Sequence, residues 1–69
     1  MSMWTAHRYV ILDARGRRMV MPRATAADAI EQIAKAIAGR QASAEEKRQA
    51  WERLRDERGY RVEKVLPGA

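Results

Sequence analysis

Between Thr25 and Gly39 the chain places Ala26, Ile30, Ile33 and Ile37 along one face of a 3.6-residue repeat, and such an apolar stripe must be buried against another element. The chain has only 69 residues in which to find that element, and no cysteine. Neither a disulfide nor a thiolate metal site can stand in for packing. By surface-to-volume scaling, a domain this small buries only about 60% of the surface its unfolded chain exposes. The segments on either side of the stripe must therefore supply the second layer of a single domain.

The stripe predicts a helix over 25–38. Thr25 is suited to the N-cap, Asp28 follows three residues on, and Gly39 supplies the stop. Ala27, Ala29, Ala34, Ala36 and Ala38 widen its small-residue surface and allow a neighbour close approach. After Arg40-Gln41-Ala42, the run Ser43-Ala44-Glu45-Glu46 has the spacing of a capping box. It opens a second helix, 44–58, ending near Gly59. That helix offers a narrow apolar stripe of Ala50, Trp51 and Leu54, extended by the stems of Lys47 and Arg58.

The flanks read as strands. Tyr9–Leu12 and Met19–Met21 are apolar runs joined by Asp13-Ala14-Arg15-Gly16-Arg17-Arg18, where Asp13 starts a turn and Gly16 takes a left-handed position. A hairpin over 7–22 follows. With Asp13 opposite Arg17, Ile11 faces Met19, Val10 faces Val20 and Tyr9 faces Met21. Tyr9, Ile11, Met19 and Met21 then share one side, and Arg8, Val10, Leu12, Arg18 and Val20 the other. Residues 60–66 form a third strand that Pro67-Gly68 ends, and the out-of-phase Val62 and Val65 suggest a bulge in it. The expected fold is α+β, in the order ββααβ: a three-stranded antiparallel sheet with a two-helix hairpin packed on one face.

Chemistry is sparse. His7 is the only histidine, and it reads as a surface or sheet-edge residue. Ser43 and Thr25 serve as caps, and no P-loop, GxGxxG, HExxH, GxSxG or EF-hand spacing occurs. Glu45, Glu46, Glu52, Asp56 and Glu57 are the densest carboxylates, interspersed with Lys47, Arg48 and Arg53. Glu45 and Glu52 stand three and four residues from Arg48, and Asp56 and Glu57 three and four from Arg53, the pattern of an ion-paired solvated helix. No catalytic residue, metal site, cofactor or small-molecule substrate is expected, and the chain is read as a non-catalytic protein. Mean hydropathy is −0.60, and the longest apolar runs are far short of the roughly 20 residues that span a bilayer. With neither a basic n-region nor an apolar h-region in Met1–Ala6, a cytoplasmic location is expected.

Charge is the functional signal. The net is +5, and four of those five charges fall in residues 1–23, where Arg8, Arg15, Arg17, Arg18 and Arg23 face only Asp13. Arginine suits bidentate contacts to carboxylate or phosphate. On the hairpin's second side, Val10, Leu12 and Val20 framed by Arg8 and Arg18 would make an apolar patch with a charged rim, which is the anatomy of a protein interface. The N-terminal segment around Trp4, the C-terminal tail, or a homodimer pairing sheet on sheet would cover that patch.

The leading expectation is a small regulator, inhibitor or adaptor of bacterial or mobile-element type that docks on a larger protein. Its contact residues would be Arg8, Val10, Leu12, Arg15, Arg17, Arg18, Val20 and Arg23. The alternative is a nucleic-acid-binding module whose arginine hairpin contacts phosphates. Against the alternative, Trp4, Tyr9, Trp51 and Tyr60 are not interleaved with arginines as a base-stacking platform requires. The helices lack a recognition face, and a ribbon-helix-helix would have a single strand before its helices.

Overall fold

The computed structural model describes residues 7–66. Along them run β1 (Arg8–Leu12), α1 (Ala26–Ala38), α2 (Ala44–Arg58) and β2 (Arg61–Val65). The fold is α+β, with two helices and a two-stranded antiparallel sheet.

Local chemistry sets the helix limits. The Thr25 hydroxyl accepts the Asp28 N–H at 3.0 Å, and the Gly39 N–H closes α1 on the Lys35 carbonyl at 2.9 Å. The capping box forms at α2: the Glu46 N–H donates to Ser43 Oγ at 3.1 Å, and the Ser43 N–H to Glu46 Oε1 at 2.7 Å. Gly59 ends α2 in the left-handed conformation at φ 74°. A β-carbon there would sit 3.1 Å from that of Ala14, so glycine also lets the hairpin turn rest against the end of the helix.

The core joins Ile11 of β1 to Ala29, Ile33 and Ala34 of α1 and to Trp51 and Leu54 of α2, with Tyr9, Val20, Ile30, Tyr60 and Val62 packed around it. The buried line of α1 is thus rotated from the expected stripe. Ala29 and Ala34 face inward, where their small size lets α2 approach, while Ile37 is 57% exposed against 5% for Ile33. Trp51 and Leu54 anchor α2 as its narrow stripe implied.

β1 pairs with β2 in an unbroken register from Arg8 opposite Val65 to Leu12 opposite Arg61. No bulge occurs in β2. Val62, opposite Ile11, lies on the helix side, and Val65, opposite Arg8, on the other, since opposed residues share a face.

The expected second strand of the hairpin, Met19–Met21, is absent, so the sheet has two strands where three were expected. Residues 17–23 run beside the other edge of β1 but touch it only through the bridges Leu12–Arg18 and Tyr9–Arg23. The Asp13 N–H donates to the Arg17 carbonyl at 3.0 Å and the Met19 N–H to the Ile11 carbonyl at 2.8 Å, so the turn has the expected register. Then the pairing slips: Tyr9 exchanges both backbone bonds with Arg23 rather than Met21. Val20, Met21 and Pro22 span the stretch that Val10 alone spans on β1. Pro22 has no N–H to give a ladder, and the surplus residues loop out there.

Candidate binding surface

The turn that carries the arginines is held by one carboxylate. Asp13 Oδ1 accepts the N–H groups of Arg15 and Arg17, both at 2.9 Å, and Oδ2 accepts Arg17 Nε at 3.0 Å. The Gly16 N–H donates to the Asp13 carbonyl, with Gly16 at φ 83° as its left-handed place in the turn requires. The Arg17 N–H does most to hold the Asp13 carboxyl below the usual aspartate range. Burial opposes it, and the Arg17 guanidinium and the Arg15 N–H reinforce it.

The structure divides the eight expected contact residues. Val10 is fully enclosed and Leu12 only 9% exposed within the single chain, so neither offers an open apolar patch. Val20 packs against the helix-side core rather than beside Val10, because the slip before Arg23 ends the strict alternation that placed it on the second face. A sheet-on-sheet pairing is therefore left without the apolar residues it was expected to cover. The segment around Trp4 and the tail from Pro67 lie outside the described residues.

Two of the arginines are engaged. Arg17 is paired with Asp13, and Arg23 with Asp28 at 3.1 Å, which ties the 17–23 segment to the first turn of α1. Arg8, Arg15 and Arg18 are exposed and have no carboxylate in ion-pairing reach among the described residues. Register places them further: Arg18 and Arg61 both oppose Leu12, one on each side, so they share with Arg8 the face turned away from the helices.

Three of the carboxylates of α2, Glu45, Glu52 and Asp56, form ion pairs within the helix. Arg48 bridges Glu45 and Glu52, Arg55 meets Asp56 at 2.8 Å, and Lys47 crosses to Glu31 of α1 at 2.6 Å. Hydrogen bonds to these arginines lower the Glu45 and Asp56 carboxyls from their ordinary values. No group of three or more metal-ligating side chains comes together among the described residues, and no helix there is long and apolar enough to cross a membrane.

Sequence reasoning missed the methionines. Met19 and Met21, expected on the side of the hairpin that Tyr9 and Ile11 occupy, are 39% and 77% exposed. They line, with Arg18, Val20 and Pro22, a shallow groove along the outer margin of the hairpin. The warning was Pro22, one residue after Met21, where no ladder can continue. Comparison with protein-family models, curated proteins and solved structures finds no match to this chain.

Proposed function

We propose that this chain is a non-catalytic cytoplasmic adaptor or inhibitor that docks on a larger protein through the Arg18–Pro22 margin of its hairpin. The observation that carries the reading is the outward placement of Met19 and Met21 beside an unpaired arginine. Methionine and arginine are enriched at protein interfaces, and the flexible thioether adapts to the surface it meets. The partner surface that fits is apolar and edged by carboxylates, which Arg18 and Arg15 would meet. Absence of cysteine is compatible with a reducing compartment.

A photo-crosslinking amino acid at position 21 should give one discrete protein adduct in the native cell. Placed instead at Ile37, which is exposed elsewhere, it should not. Carboxylates at the margin, introduced as Met19→Asp and Arg18→Glu, should abolish co-purification of that protein while the helical circular dichroism is retained. No adduct from position 21, or undiminished co-purification, rejects the reading.

Arg8, Arg15 and Arg18, exposed and without carboxylate partners, favour binding to phosphates as a second reading. It requires salt-sensitive binding of fluorescent duplex or single-stranded oligonucleotides, with a salt slope that becomes shallower by about 0.7–0.9 for each phosphate that a variant no longer neutralises. If the wild-type chain does not bind at low salt, or Arg15→Ala plus Arg18→Ala changes nothing, nucleic acid is excluded.

A further inference from the structure

We propose that a second copy of this chain pairs along the free edge of β2, in the antiparallel register that sets Arg61 of each copy opposite Glu63 of the other. This self-association uses a different edge from the methionine margin and stands or falls independently of it.

The backbone defines what the edge offers. Tyr9 gives both its N–H and its carbonyl to Arg23, and the Ile11 carbonyl and Asp13 N–H also point toward the 17–23 segment. In an antiparallel ladder, alternate residues bond to alternate sides. Arg8, Val10 and Leu12 are therefore the β1 residues that bond to β2, through Val65, Glu63 and Arg61. The N–H and carbonyl groups of Val62 and Lys64 are left pointing outward along an edge that no other described strand covers. Such an edge is a template for another strand.

Side-chain charge then selects the register. A two-fold pair of β2 strands must set outward-pointing residues opposite one another. Centring the axis on Glu63 would oppose two glutamates, on Lys64 two lysines, and on Arg61 two arginines. Centring it on Val62 opposes Val62 to itself and Tyr60 to Lys64. The same choice sets Arg61 across from Glu63 at both non-hydrogen-bonded positions, where opposed side chains come closest.

The residues are prepared for this. Arg61 and Glu63 are each about half exposed and already 3.5 Å apart within one strand, on the face turned away from the helices. A neighbouring copy adds a carboxylate to each arginine without pulling it from a buried partner. The result is a four-stranded core sheet, β1-β2-β2-β1, with both helix pairs on the same side.

Light scattering of the full chain over a concentration series should show the mass rise from 7.9 kDa toward twice that value. Arg61→Glu and Glu63→Arg alone each put like charges at both positions and should remain monomeric. Mixed in equal amounts, they should associate, because each supplies the charge the other lacks. The double variant Arg61→Glu/Glu63→Arg should dimerise with itself, and it tests the pairing even if a single variant fails to fold. A wild-type mass of 7.9 kDa up to the solubility limit overturns the proposal. So does a dimer indifferent to both single changes, or a double variant that stays monomeric.

Discussion

Truncating Ile33 and Ile37 in turn separates a stripe read from spacing from one decided by packing. Both lie in α1 four residues apart, and both changes to alanine raise helix propensity by the same few tenths of a kcal/mol. Spacing treats them as equals. The structure leaves Ile33 5% exposed and Ile37 57% exposed. Isoleucine to alanine removes three carbons, worth about 2.4 kcal/mol of transfer free energy when fully buried at roughly 0.8 per methylene. At Ile33 the cavity left among Ile11, Ala34 and Trp51 adds to that, for a total of about 3–4 kcal/mol. At Ile37 less than half the transfer contribution applies, and no enclosed cavity forms, so the loss is about 1 kcal/mol or less. For a domain of this size each kcal/mol moves the melting temperature by roughly 4–8 °C. Urea unfolding followed by helical circular dichroism, with equal slopes for the two variants, gives the difference directly. Equal losses at the two positions would refute the packing assigned to α1.

Gly59→Ala should cost about 1–2 kcal/mol, because φ 74° strains any residue with a β-carbon; the 3.1 Å approach to the Ala14 methyl adds to it. A loss no greater than a few tenths of a kcal/mol, measured by urea unfolding, would count against the packing of turn on helix. The Asp13 carboxyl is lowered on folding, so its contribution to stability is fully present above the unfolded value of about 3.9 and is lost as pH falls through the folded value. Asp13→Asn should therefore flatten the decline in stability below pH of about 4. Because folding lowers the Glu45 and Asp56 carboxyls as well, the difference between variant and wild type is the quantity to compare. A curve parallel to that of the wild type would mean that Asp13 does not hold the turn.

Much of the fold is legible along the chain because local chemistry decides it. Thr25, Ser43 with Glu46, Gly39 and Gly59 set the helix limits through hydrogen bonds that reach only a few residues, and Asp13 and Gly16 shape the turn in the same way. The strand at 61–65 announces itself by β-branched residues before Pro67. The candidate surface is less legible, because a residue's exposure depends on what lies across from it. Of the residues expected to meet a partner, Arg8, Arg15 and Arg18 are exposed, whereas Val10, Leu12 and Val20 are drawn inward and Arg23 is tied to Asp28.

The sequence by itself determined where helices begin and end, how the hairpin turns, and that the positive charge gathers in the first third. Tertiary structure decided which side of α1 is buried, that β1 lies between β2 and an irregular segment, and which apolar residues remain outside. The division follows from range. Caps and turns are settled by neighbours in the chain, while burial is settled by partners far along it. A proline that interrupts one ladder moved Val20 inward and left Met21 facing solvent.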